Sequence, residues 1–415
     1  MESDNAALEK ALPPPRSSYD TACLRPSEHA PATHWHLVTC EYPPQLGGVS
    51  DYTRLIAEQL AMSGDEVHVW CPPAGRRPVS NGVTLHEDLG QARISDLRRF
   101  GKHLSKLPGP RRLLVQWVPH GYGFRSMNLP FCFWLWIRAA FRHDQVEIMV
   151  HEPYLAFGEG SWRQDLVALV HRVMTAVLLR SARKVWTSIP AWERTWRPYR
   201  LGRKIPFQWL PIPSNVPVAP RPAQVARIRK EYIGNSRFLI GHFGIHGPTV
   251  VKLLEQILPQ LAERCQEAVV LLIGKGSREF RDKLTSQLPQ LAHRVRAAGT
   301  LETPDLSDHL AACDLAIQPY PDGISTRRTS AMASLAHGVP LVTTIGHLTE
   351  DFWRKTDAVA IVPAFDVAAL VQRVADLLDD ESERFRMSER ARQMYDAEFD
   401  VRHVIAALRE ASAAS

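Results

Sequence analysis

Residues His34–Trp70 read H-W-H-L-V-T-C-E-Y-P-P-Q-L-G-G-V-S-D-Y-T-R-L-I-A-E-Q-L-A-M-S-G-D-E-V-H-V-W. The run His34–Cys40 has the apolar, β-favouring content of a strand. A Pro/Gly loop follows, and Gly47-Gly48 opens an amphipathic helix from about Val49 to Ser63. Gly64 ends that helix, because glycine is the residue that best tolerates the left-handed C-terminal position. Glu66–Trp70 is the next strand. A strand, a crossover helix and a second strand imply parallel pairing, since parallel neighbours need such a connection.

The same alternation continues outward. Strands are expected at Leu113–Val118, Val146–His151 and Val185–Thr187, with helices between them. Residues 211–222 carry a proline at every second to fourth position and read as a linker. A second alternating set follows, with strands at Phe238–Phe243, Ala268–Ile273, Val295–Gly299, Leu315–Pro319, Leu341–Thr344 and Ala358–Val362. Helices fit Val250–Glu263, Leu306–Ala312, Asp366–Leu378 and a stretch from about Glu381. The fold class is α/β, with two Rossmann-like doubly wound domains facing a central cleft. Ligands of such sheets sit at the carboxyl ends of the strands.

The chain has 415 residues, more than one ordinary core accommodates. We divide it into a disordered tail (1–33), an N-terminal Rossmann-like domain (34–210), the linker (211–222), a C-terminal Rossmann-like domain (223–380) and a helical segment (381–415). That last segment could return to the first domain. The tail is polar and Pro-rich, and its early acids, Glu2 and Asp4, do not fit a signal peptide. The six cysteines are scattered with no C-x-x-C pair, so neither a zinc site nor a disulfide framework is expected. A reducing cytosol is the simplest compartment.

The net charge of +6 is mild but uneven. Arg180–Lys204 holds eight Lys/Arg against the single acid Glu193, interleaved with Trp186, Trp192 and Trp196. Just upstream, Met127–Phe141 carries Phe131, Phe133, Trp134, Trp136 and Phe141, a run too short to span a bilayer. Two readings stand. One is a peripheral surface for anionic lipid; the other is core aromatics with solvated bases. No nucleic-acid recognition module is present, so nucleic acid is not an expected partner.

Ile317–Thr344 reads I-Q-P-Y-P-D-G-I-S-T-R-R-T-S-A-M-A-S-L-A-H-G-V-P-L-V-T-T. A strand ends in a Pro/Asp/Gly loop, and the loop brings Arg327 and Arg328 to the start of a short helix that stops at Gly338. Orphan N–H groups and the dipole make such an end an anion site, and a diphosphate fits it. Ser325, Thr326, Thr329 and Ser330 are hydroxyl donors in the same loop, one of them expected to be the N-cap. Adjacent helical residues do not share a face, so one of the two arginines could form only a structural ion pair.

Four segments together resemble the retaining glycosyltransferases of the GT-B type, family 4. They are E-Y-P-P-Q-L-G-G through V-H-V-W, V-E-I-M-V-H-E-P-Y, F-L-I-G-H-F-G-I-H-G with L-L-I-G-K-G, and the Arg-Arg loop. The resemblance spans roughly residues 35–400. It implies a hexosyltransferase-like enzyme that moves a sugar from a nucleotide-diphosphate donor to an acceptor hydroxyl, in polysaccharide or glycolipid synthesis. The acceptor would be a saccharide or a lipid-linked one, and the enzyme cytoplasmic or peripheral on the inner membrane surface.

By that resemblance His151, Glu152 and Asp322 are the catalytic candidates. Gly47, Gly48, Lys275, Ser325, Arg327, Arg328, Thr329 and Ser330 would hold the donor. Asp51, His120 and Tyr122 would face the acceptor. No cofactor and no metal are expected. The chain departs from the family's Glu-x7-Glu pair, with Ser325 and Ala333 at those places. Asp322 could partly replace the first carboxylate. A competing reading is a degenerate module of the same fold that binds a sugar nucleotide or partner without transfer. An epimerase or phosphorylase on this scaffold is a third.

Overall fold

The computed structural model describes residues 33–75, 82–158 and 160–413. The tail expected over 1–33 lies outside the described residues except for Thr33. Two parallel sheets organise the chain. The first comprises β1 (His34–Thr39), β2 (Glu66–Trp70), β3 (Val83–His86), β4 (Arg112–Trp117), β5 (Gln145–Val150), β6 (Ala182–Thr187) and β7 (Phe207–Trp209), in the order β3-β2-β1-β4-β5-β6-β7. The second comprises β8 (Phe238–Phe243), β9 (Ala268–Ile273), β10 (Val295–Gly299), β11 (Leu315–Gln318), β12 (Leu341–Ile345) and β13 (Ala360–Pro363), in the order β10-β9-β8-β11-β12-β13. Counted from its own first strand, the second sheet has the 3-2-1-4-5-6 order of dinucleotide-binding folds, and the first has the same order with β7 added at the β6 edge.

Helices cover the faces. Around the first sheet lie α1 (Gly48–Met62), α2 (Ile94–Leu104), α3 (Leu129–Arg142), α4 (Trp162–Ser181) and α5 (Pro190–Trp196). Around the second lie α6 (Pro222–Ile233), α7 (Pro248–Arg264), α8 (Ser277–Gln287), α9 (Thr303–Ala311), α10 (Thr329–Ala336), α11 (Val367–Asp379) and α12 (Glu381–Met394), and the chain ends in α13 (Val401–Ala413). Strands β4 and β9 are buried along their whole length. That is why L-L-V in β4 and A-V-V-L-L-I in β9 read as continuous apolar runs rather than alternating ones.

The edge strands β3 and β7 were not expected. They are four and three residues long and largely exposed or half-buried, so neither has a strong apolar pattern. The segment after Glu381 is also two pieces. Helix α12 packs on the second sheet through Met387 and Ala391, whereas α13 returns to the first, burying Val404, Ile405 and Leu408 beside Trp35, Tyr52 and Ile56.

The tryptophans of the basic stretch are core. Trp186 and Trp196 are fully buried and Trp192 nearly so. Trp186 donates to Glu147 Oε2 at 2.7 Å while Lys184 lies 3.8 Å over its ring. The lipid-surface reading of 180–204 is therefore corrected: its indoles are buried. Helix α3 divides differently. Phe131, Cys132 and Leu135 face inward, and Phe133, Trp136, Ile137 and Phe141 face out.

Candidate active site

Every candidate lies at a carboxyl end of a strand or just beyond it. The loop after β11 turns at Gly323, whose φ is +87° and where a Cβ would sit 2.2 Å from the Gly346 nitrogen. Only glycine fits that turn. It presses the loop onto the end of β12 and aims the following residues at the first sheet. Thr326 fastens the loop there. Its hydroxyl donates to the Ser188 carbonyl at 2.8 Å and accepts from Trp209 Nε1 at 3.1 Å. The Ile212 amide donates to the Thr326 carbonyl at 2.9 Å. Glu350 Oε1 accepts from the Thr326 amide at 3.0 Å and lies 2.6 Å from the Thr326 hydroxyl, whose single proton it shares with the Ser188 carbonyl.

Arg327 and Arg328 both donate to the carboxylate of Asp322, one to each oxygen. The expectation that adjacent arginines diverge is corrected, and the reason is local. Helix α10 begins only at Thr329, Arg328 is its extended N-cap residue, and Arg327 precedes it. The arginines are thus not on a helical surface. No hydroxyl side chain caps α10 either, contrary to expectation. Ser330 is bonded instead to the Tyr320 hydroxyl at 2.7 Å, and the buried Ser325 hydroxyl has no partner within hydrogen-bond distance. Thr329 is half-buried in the first turn, and Ala333 is buried in the helix core. Arg328 lies 4.6 Å over the Tyr320 ring and Arg327 5.6 Å over Trp192, a residue of the first domain. Burial works against the Asp322 carboxylate, but Arg328 and Arg327 together outweigh it and hold its pKa below the ordinary value.

Opposite this cluster stand His120, His151 and Glu152. The Glu152 carboxylate accepts from His120 Nε2 at 2.8 Å, and this bond holds Glu152 low and His120 high. Arg327 also contributes to keeping Glu152 ionised, which places the two domains' charges in one electrostatic neighbourhood. His151 is pushed down to about 4 by burial. It is neutral at physiological pH, and its Nε2 donates to Gln116 Oε1 at 2.8 Å. Its ring meets Tyr52 edge-on at 5.0 Å, and Trp192 Nε1 donates to its carbonyl at 3.0 Å.

The remaining candidates are spent differently. Gly47 makes room for a side chain of this protein: a Cβ there would lie 2.3 Å from Glu41 Oε1. That carboxylate oxygen accepts from the Ser50 amide at 3.0 Å, so Glu41 occupies the N-terminus of α1. Gly48 borders open space. Asp51 accepts from Asn215 Nδ2 at 2.9 Å and becomes a tie to the inter-sheet segment, with burial raising its pKa. Tyr122 is buried, and its hydroxyl donates to the Gln116 carbonyl at 2.6 Å and lies 3.2 Å from that of Val38. It supports the cleft wall with its ring. Lys275 is exposed in the turn after β9.

A cavity of about 710 Å3 opens at the strand ends of the first sheet. Its lining comes from Cys40, Pro72, Leu89–Ser95 and Gly121–Arg125. The sequence reading missed this loop after β3, along with Glu41, Gln116 and Trp192. Glu41 had a readable signal, as an acid between the first strand and a Gly-Gly loop. Gln116 and Trp192 look like ordinary core positions.

Two facing Rossmann-like sheets with the site between them decide the architecture. The fold is GT-B. Solved GT-B structures superpose over nearly the whole chain. Sucrose-phosphate synthase from Thermosynechococcus elongatus matches with TM-score 0.70 and 17% identity, covering 92% of this chain and 100% of that one. Anabaena HepE in complex with UDP and glucose gives 0.66 and 14%, covering 92% and 100%. WaaG, a glycosyltransferase involved in lipopolysaccharide biosynthesis, gives 0.63 and 17%, covering 91% and 98%. Residues 238–380, from β8 through α11, match the family described as glycosyl transferases group 1. No curated protein sequence matches. In GT-B terms the Arg-Arg loop belongs to the second domain and the His-Glu cluster to the first.

Proposed function

We propose that the protein is a glycosyltransferase that binds a nucleotide-diphosphate sugar and passes the sugar to an acceptor hydroxyl, with retention. The reading rests on one observation: Arg327 and Arg328, at the N-terminus of α10, face His120, His151 and Glu152 across the cleft. The group 1 match over the second sheet supports it, as do the UDP-binding and lipopolysaccharide-linked relatives of the same fold.

The arginines and the helix end would hold the diphosphate and stabilise it as it leaves. Asp322 orients both guanidiniums toward the same space. His151 is neutral and brings no charge to the reacting carbon. Its proton is committed to Gln116, so its other nitrogen is the lone pair that could receive a sugar hydroxyl. Glu152, ionised and braced by His120, supplies the negative charge on the first-domain side. An acceptor attacking from the leaving-group face needs no protein nucleophile. The cavity walled by Leu89–Ser95 and Gly121–Arg125 is the acceptor's place.

The surface beside that cavity supports a reading of the acceptor class. Phe133, Trp136, Ile137 and Phe141 on α3, and Trp162, Leu166, Leu169 and Val173 on α4, form exposed stripes at helical spacing. The two helices pack together, so the stripes adjoin. Exposed Phe124, at the cavity rim, extends this region. We read it as a seat on the cytoplasmic membrane face, giving access to a lipid-linked saccharide. No described helix is long and apolar enough to cross a membrane.

One observation favours the degenerate reading. Ser325 and Ala333 stand where the family keeps its two carboxylates, and both are buried. A thermal-shift panel of nucleoside diphosphates and their sugars, followed by donor-turnover assays on the responders, tests the proposal. Ligand binding raises the melting temperature by mass action. A responding donor whose sugar is released or transferred supports the enzyme. A responder that is never turned over, with any acceptor or with water, favours the binding module, and no response at all contradicts both.

A further inference from the structure

A cluster of histidines lies at the edge of the first sheet, apart from the cleft residues described above. His86 ends β3, Asp88 follows two residues later, and His103 sits in the last turn of α2. Each offers a ligand atom, and these atoms lie within 4.8 Å of one another. His103 Nδ1 and Asp88 Oδ2 are 3.0 Å apart.

The surroundings fix one ligand in detail. Glu66 accepts from His34 Nδ1 at 3.0 Å and from His68 Nε2 at 2.9 Å. With its proton on Nε2, a neutral His68 presents a bare Nδ1. His86 Nε2 stands 2.9 Å from that atom and must donate to it. A neutral His86 then carries its proton on Nε2, and its Nδ1 is a bare lone pair. The Trp70 indole stacks on the His86 ring at 3.9 Å, with planes 12° apart, and holds its orientation. Metal sites set a ligand's tautomer through an outer hydrogen-bond partner, and here that partner is His68, itself held by Glu66.

We propose that His86, Asp88 and His103 bind a divalent transition metal, zinc foremost. Two imidazoles and a carboxylate are a borderline N/O donor set, and three protein ligands leave one position for water. A tetrahedron with bonds of ~2.0–2.1 Å has edges of about 3.3 Å. His103 and Asp88 are already slightly closer than that, so the closing movement falls to the His86 ring and is at most about 1.5 Å. Arg99 Nε, 3.7 Å from Asp88 Oδ1, leaves the other carboxylate oxygen available.

The site would tie the end of β3 to the end of α2. Between those ties runs Leu89–Ser95, one wall of the 710 Å3 cavity. The metal is therefore a clasp on that wall. The proposal departs from the expectation of no metal. The sequence gives no hint because His103 is remote from His86 and Asp88 in the chain. Metal binding here does not depend on the chemistry proposed for the cleft.

The test uses the full chain, free of any histidine tag and stripped by chelator. Zinc is titrated with elemental analysis after dialysis, and cobalt with visible absorption. The expected result is one tight equivalent per chain, a rise in melting temperature with zinc, and cobalt bands of a low-coordinate site. His103→Gln and Asp88→Asn should each abolish the tight equivalent. His68→Phe, which removes only the outer partner, should weaken it by roughly 10–100-fold. His103 is partly exposed, with 42% of its side chain accessible, so His103→Gln should fold and melt as the stripped wild type does. No tight equivalent in the wild type, or one retained in His103→Gln, overturns the proposal.

Discussion

At the scale of single residues, the cleft is a set of charges that fix one another. Asp322 joins Arg327 to Arg328, and Glu152 joins His120 to the neighbourhood of Arg327. The His120–Glu152 pair has a defined pH window. His120 has a raised pKa, so its contribution is complete below its unfolded value of 6.5 and fades as pH rises through the raised one. Glu152 has a depressed pKa, so its contribution holds above 4.5 and fades as pH falls through the lowered one. Both side chains are nearly half exposed, so the pair contributes under about 1 kcal/mol. Nuclear magnetic resonance titration of the His120 ring should give a midpoint above 6.5 in the wild type and a lower one in Glu152→Gln. An unchanged midpoint in that variant would show that the pair does not form in solution. The presence of both arginines was legible from the D-G-I-S-T-R-R run. Their shared carboxylate was not, because periodicity describes helices and these residues precede one.

At the scale of elements, much of the core pattern was open to reading. The strands β8 and β9 fall where their apolar runs place them, since both faces are buried and nearly every position carries the signal. The short edges β3 and β7 lack that signal, and the wall at Leu89–Ser95 that follows β3 was missed with it. The aromatic stretches show the opposite limit. Composition alone cannot separate Trp186, buried against Glu147, from Trp136, which is exposed on α3. The difference lies in which face a neighbouring helix covers. The outer stripes of α3 and α4 make a specific prediction. Full burial of a large apolar side chain is favourable by about 1.5–3 kcal/mol. Phe141→Ser together with Trp162→Ser should therefore weaken co-sedimentation with anionic vesicles by at least about tenfold. Donor binding should be unaffected. Equal sedimentation of the double variant would remove the membrane seat from the account.

At the scale of the whole molecule, the two sheets are joined through few but specific contacts. Thr326 reaches Ser188 and Trp209, Asn215 reaches Asp51, the Ser214 amide donates to the Tyr395 hydroxyl at 3.1 Å, and α13 returns to the first sheet. These contacts put the Arg-Arg loop against Trp192. The two-domain plan was legible because the alternating pattern restarts after a Pro-rich segment. The partners across the cleft were not, because no local pattern couples residues more than a hundred positions apart. The account's central claim is that the cleft grips a diphosphate through Arg327 and Arg328. Charge-assisted hydrogen bonds contribute roughly 1.5–3 kcal/mol each. The most direct measurement is calorimetric titration of the best-responding nucleoside diphosphate into wild type and the Arg327→Ala, Arg328→Ala double variant. The account predicts a loss of affinity of at least about 100-fold with the fold intact, and an affinity unchanged in the double variant would contradict it.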